Sequence, residues 1–185
     1  MEFDLKKAFT MIELVFVLVV IGILAAVIIP NTRTNPVREA AIQLQSAIRY
    51  TQHLALVEDK YASSPTWYRN LWQIRFSGTN NNLYTIVSEN NTRFATDPQN
   101  PSENLQNIEL RGVSITAGGS CAGESIISFD NMGRPLVGPL AGITTPYTAA
   151  NLMDSNCTLV LSDGGDNNST ITIVPETGFA KLTHQ

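Results

Sequence analysis

Side chains able to do acid–base, nucleophilic or metal chemistry are few in this 185-residue chain, and they are scattered. It has two histidines, His53 and His184, and two cysteines, Cys121 and Cys157. A general base needs a partner within hydrogen-bond reach, and a metal centre needs several ligands at matched spacing. Neither histidine has such a neighbour in sequence, and there is no nucleophile motif or phosphate loop. No catalytic residue, cofactor or metal is therefore expected. Asp163, Asp166, Asn167 and Asn168 could ligate calcium in a loop, but the segment has no glutamate and no regular repeat of oxygen ligands; a polar hairpin uses the same residues. One charge stands apart. Glu13 lies near the start of KKAFTMIELVFVLVVIGILAAVIIP, residues 6–30, in which Leu14 to Ile29 carries no charge. A carboxylate within such a helix costs about 2.5 to 3.5 kcal/mol on insertion scales, so it is expected to have a partner or a function.

The element that must position Glu13 is the apolar run itself. Helical from Phe9, it would be about 30 Å long at about 1.5 Å per residue, the thickness of a hydrocarbon core, so a transmembrane helix is expected over residues 9–30. A secretory signal cut after this run would put Ile23 or Leu24 where a small residue is needed, so release as a free protein is not expected. Lys6 and Lys7 precede the run while Arg33 and Arg38 follow it, so charge bias sets no orientation.

With its short basic leader and a small residue before Phe9, FTMIELVFVLVVIGILAAVIIP resembles the N-terminus of type IV pilins and type II secretion pseudopilins. The resemblance implies residues 1–8 as a leader, prepilin peptidase cleavage between Ala8 and Phe9, methylation of the Phe9 amine, and Glu13 as the fifth residue of the mature chain. Ala8 stands where the family usually has glycine. After cleavage the Phe9 amine lies one helical turn from Glu13, and in a low-dielectric bundle the carboxylate seeks such a charge on its own or a neighbouring chain; a carboxylate that reaches the headgroup region is the alternative. The resemblance further implies other pilins or pseudopilins as partners, with prepilin peptidase, an inner-membrane assembly platform and the lipid bilayer. It places the chain in the inner membrane as a single-pass protein with its C-terminal domain in the periplasm, from which it joins a pilus or pseudopilus.

Pro30 removes an amide donor and Pro36 disfavours helix at Asn35, so a kink is expected there. Asn35 is a good N-cap with Pro36 at the first helical position. Val37, Ala40, Ala41, Leu44, Ala47, Ile48, Leu54 and Ala55 then recur at helical spacing, predicting an amphipathic helix within residues 31–58 that lies on a sheet, with Arg38, Gln45, Arg49 and Gln52 facing solvent or neighbouring subunits. Beyond it LWQIRFS, LYTIVSE, IELRGVSIT, SIISFD, CTLVLS, TITIVP and GFAKLT read as strands separated by Asn/Gly turns. The expected fold class is α+β and pilin-like: a long N-terminal hydrophobic helix packed on antiparallel β-sheets, with residues 59–185 as a β-sandwich-like globular domain. About 120 residues suffice for one core. SFDNMGRPL and ITIVPETGFAKL resemble the late strands of the H-type minor pseudopilins, the GspH/FimT-like group, which implies a minor subunit near a filament tip.

In the hairpin, Asp130, Asn131 and Gly133 favour a tight turn, with Arg134 in reach of Asp130. An even cysteine count in an oxidising compartment favours a disulfide between Cys121 and Cys157, two buried thiols being the alternative. Trp67, Tyr68 and Arg69, with Trp72 and Arg75 beyond, interleave rings with positive charge; they suit a partner contact, while the alternation of Trp72, Ile74 and Phe76 suits a core strand. Asn156 and Asn168 lie in Asn-x-Thr sequons. A net charge of -4 makes nucleic acid a poor partner. The function expected is a structural subunit of a type II secretion pseudopilus or type IV pilus, the alternative being a displayed binding module.

Overall fold

The computed structural model describes residues 10–28, 35–61 and 64–184. The chain divides into two compact units, Met1–Asn35 and Pro36–Gln185. In the first, the apolar run forms α1 (Met11–Ile28), 18 residues long and apolar on every side. In the second, α2 (Pro36–Val57) begins on a proline, which suits the first helical position because its missing amide would have no partner there. Val37, Ala40, Ala41, Leu44, Ala47, Ile48, Thr51 and Ala55 are its buried stripe. Leu54 is partly buried against the same core. Thr51 fits this apolar stripe because its hydroxyl donates to the Ala47 carbonyl, 2.8 Å away.

Two antiparallel sheets follow. The first contains β1 (Trp72–Ser77), β2 (Leu83–Ser88), β3 (Arg93–Phe94) and β4 (Ile108–Glu109) and, after one strand of the second sheet, β6 (Ile126–Phe129) and β7 (Pro135–Val137). Its order is β3-β2-β1-β6-β7, with β4 against the opposite end of β2. The second contains β5 (Ser114–Gly119), β8 (Cys157–Ser162), β9 (Asn168–Ile173) and β10 (Ala180–His184), in the order β10-β9-β8-β5. Helix α2 packs against strands of both sheets, so Leu44, Ile48, Ile74, Ile86, Phe129, Leu159, Leu161, Ile171 and Ile173 share one core. Each such side chain stabilises the fold by about 1.5 to 3 kcal/mol when fully buried.

The expected fold class is corrected. The apolar helix α1 is only 18 residues and belongs to the first unit, while the second unit is by itself a small β-rich domain whose sheets carry the 22-residue amphipathic α2. The inner-membrane, single-pass placement is corrected with it. Among the described residues no helix is long and apolar enough to cross a membrane. At about 1.5 Å per residue α1 reaches about 27 Å, short of the roughly 30 Å hydrocarbon core. The transmembrane helix expected over residues 9–30 drew on Phe9, Ile29 and Pro30, which lie outside the described residues.

The segment IELRGVSIT also differs from a single strand. Gly112 has φ +71°, a left-handed turn that a side chain would strain, and it separates β4 in one sheet from β5 in the other. Leu110 and Val113 on either side are both buried. After β5 the chain leaves the second sheet, builds the β6–β7 hairpin of the first, and returns as β8. A disulfide joins Cys121 to Cys157 across this excursion, with Cα atoms 5.1 Å apart.

Candidate functional site

Glu13 sits in the first turn of α1, where its amide donates to the Thr10 hydroxyl oxygen at 3.3 Å and to the Thr10 carbonyl at 3.1 Å. An anion at this end of a helix interacts favourably with the helix dipole. Its side chain is exposed, and so are the apolar residues around it, from 38% at Val20 to 85% at Met11. Isolated exposed apolar residues are ordinary; a helix exposing them on all sides is not. The processing residues Ala8 and Phe9 and the kink residue Pro30 lie outside the described residues, while Pro36 opens α2.

In the second unit, polar residues of α2 expected to face solvent hold the sheets instead. Gln45 Nε2 and Arg49 Nη2 both donate to the Ala180 carbonyl at 3.0 Å. Gln52 Nε2 donates to the Gly133 carbonyl at 2.9 Å and the Thr177 carbonyl at 2.8 Å. One amide thereby joins the β6–β7 turn of one sheet to the β9–β10 turn of the other. The two turns touch closely: a Cβ on Gly178, which has φ +64°, would lie 2.6 Å from Gln52 Nε2 and against the Gly133 carbonyl oxygen. The segments SFDNMGRPL and ITIVPETGFAKL, far apart in sequence, thus meet on one helix.

Asp130 organises the first of these turns. Fully buried, it accepts from the Met132 and Arg134 amides at 2.9 and 2.8 Å and from Arg134 Nε at 2.8 Å. Tyr147 donates its hydroxyl to the second Asp130 oxygen at 3.2 Å, and the Arg134 guanidinium lies 4.9 Å from the Tyr147 ring centre. The hydrogen bond to Asp130 is the chief cause that raises the Arg134 pKa; burial raises that of Tyr147, and the Asp130 charge adds to it.

The aromatic segment is turned inward. Trp67 and Tyr68 are buried and form a small cluster with Leu71, Leu136 and Leu140. Tyr68 donates its hydroxyl to the Thr144 carbonyl at 2.7 Å, and Arg69 donates Nε and Nη2 to the Ile143 carbonyl at 3.0 and 2.7 Å. Tyr68 and Arg69 thereby clamp the 138–151 loop. Trp72 faces the main core and donates Nε1 to Glu58 at 3.2 Å.

An ion network closes the end of α2. Arg93 forks onto Glu58 at 2.8 and 2.9 Å, and Lys60 reaches Glu89 at 3.0 Å and Glu58 at 3.2 Å. Burial alone would raise the Glu58 pKa, but hydrogen bonds from Lys60 and Arg93 outweigh it and leave it lowered. The Glu89 pKa is lowered chiefly by Lys60.

His53 is exposed on α2, and His184 Nδ1 lies 2.9 Å from the Ser169 hydroxyl. Among the described residues no three His, Cys, Asp or Glu side chains cluster as a metal site. Asp163 accepts the Gly165 amide at 2.9 Å within its own hairpin turn. Asn156 is exposed and Asn168 half-buried. The roles of Gln45, Arg49 and Gln52 had no sequence signal, because the carbonyls they bind lie 81 to 135 residues away. No protein-family model, curated protein or solved structure matches this chain.

Proposed function

We propose that this chain is a minor pilin or pseudopilin, a structural subunit that joins a type II secretion pseudopilus or a type IV pilus by packing its N-terminal helix among those of its neighbours. The observation that carries this reading is α1: apolar around its whole circumference, exposed along residues 11–25, and marked by a single carboxylate in its first turn. A helix of that kind is stable only when enclosed. Helices of other subunits would enclose it, and the Phe9 amine of a neighbour would neutralise Glu13, so that assembly satisfies two charges that are costly apart. The second unit suits a subunit body, since it has its own core and Gln45, Arg49 and Gln52 of its helix are spent on internal ties. The reading as a displayed binding module gains nothing from Trp67 and Tyr68, which are buried within the chain, while Arg69 spends Nε and Nη2 on the Ile143 carbonyl.

The test is the intact mass and N-terminal sequence of the protein expressed with and without a prepilin peptidase. Loss of eight residues and a methylated Phe9, only with the peptidase, is the expected result. An uncut chain beside an active peptidase overturns the proposal.

A further inference from the structure

The outer face of the first sheet carries one cationic group, Arg75, that the ties described above leave unused. Arg75 lies at the centre of β1, paired across the strands with Thr85 on β2 and Ile126 on β6, so no carboxylate stands beside it on either side. It is half-buried and makes no ion pair or side-chain hydrogen bond among the described residues, in contrast to Arg93 and Arg134. Arg75 lines a small half-open cavity of about 20 Å³ together with Arg69, Gln73, Asn90 and Asn91. Arg69 spends Nε and Nη2 on the Ile143 carbonyl and retains Nη1. Arg75 and Asn91 also line an adjoining open trough of about 330 Å³ on the same face, whose other polar residues are hydroxyls and amides. Neither the cavity nor the trough is lined by an aspartate or glutamate, although the chain as a whole is acidic at -4.

We propose that this cavity is a carboxylate-binding site, which seats an aspartate or glutamate side chain presented by a neighbouring protein subunit whose backbone lies in the trough. Guanidinium groups recognise a planar carboxylate through paired N–H donors, and side-chain amides complete the acceptor's remaining lone pairs. A cavity of about 10 to 15 Å³ holds one water, so the space here takes one small polar group rather than a bulky anion. The net negative charge repels a polyanion such as nucleic acid but leaves a single carboxylate at a local positive site favoured. The source of the carboxylate, a neighbouring subunit, rests on the filament reading; the binding chemistry does not.

The experiment titrates the full chain with sodium acetate, with acetamide as the neutral isostere and inorganic phosphate as the competing anion, following the side-chain amide resonances of Gln73 and Asn91. Saturable shifts with acetate, none with acetamide, at least tenfold weakening in Arg75→Gln and partial recovery in Arg75→Lys are expected, with thermal unfolding of the variants unchanged. Equal shifts with acetamide, tighter binding of phosphate than acetate, or unaltered acetate binding in Arg75→Gln would overturn the carboxylate site. Acetate binding with undiminished cross-linking of Arg75→Glu subunits into filaments would overturn the neighbour as its source. An uncut N-terminus with acetate binding intact would count against the filament reading alone.

Discussion

The two helices of this chain use apolar residues in opposite ways. Helix α1 has them on every side and buries none of those described; α2 confines them to one stripe and buries that stripe against both sheets. Propensity does not separate them, since both form helix. What differs is the polar face: α2 carries Gln45, Arg49 and Gln52, which bind carbonyls of a distant strand and two distant turns, whereas α1 has only Glu13. A helix with one wet face completes a domain, and a helix with none asks for an enclosure.

Truncating one leucine in each helix is the sharpest way to break this comparison. Leu44→Ala on α2 removes a fully buried side chain that packs in the shared core and should cost about 4 kcal/mol of unfolding free energy. Leu18→Ala on α1, whose residue is 61% exposed, should leave the unfolding of the β-rich unit within about 0.5 kcal/mol. Denaturant titration of both variants measures the difference; equal losses would mean that α1 contributes to the same core.

Reduction of the disulfide, or Cys121→Ser with Cys157→Ser, should lower stability by about 3 kcal/mol, because it frees the excursion between β5 and β8. Thermal melts with and without reductant read this. Gly178→Ala should cost about 2 kcal/mol from its left-handed backbone and the collision with the Gly133 carbonyl, and Gln52→Ala in the same background should relieve only the side-chain part. A double-mutant cycle reports the coupling.

The smallest effect concerns pH. Glu58 and Glu89 have folded pKa values below the ordinary 4.5. The stability they contribute is therefore complete above about pH 4.5 and is lost as pH falls through their lowered values. Both are half-buried at the surface and remain in contact with solvent, and screening holds the loss to less than about 1 kcal/mol. Arg93→Gln should flatten the stability profile below pH 4.5, and chemical denaturation at pH 3 and pH 7 checks it.

Much of this architecture was legible in single segments. The buried stripe of α2 follows from apolar residues at three- and four-residue spacing, and β1, β2, β6, β8, β9 and β10 from short alternating runs bounded by turn residues. β3 and β7 were not legible, being too short at two and three residues to show a period. The split of IELRGVSIT was hidden because Leu110 and Val113 are both buried, so the apolar pattern runs on through a change of sheet.

What the sequence by itself determined is what depends on near neighbours: the apolar run with its lone carboxylate, the helix start at Pro36, the Asp130–Arg134 turn, and a pair of cysteines. Tertiary structure alone decided that α2 packs against both sheets of its unit, that Trp67 and Tyr68 turn inward, that Gln52 joins two hairpins, and that Arg75 has no ion pair or side-chain hydrogen bond among the described residues. These depend on groups brought together across as many as 135 residues, and a pairing at that separation leaves no period, cap or motif in the local chain.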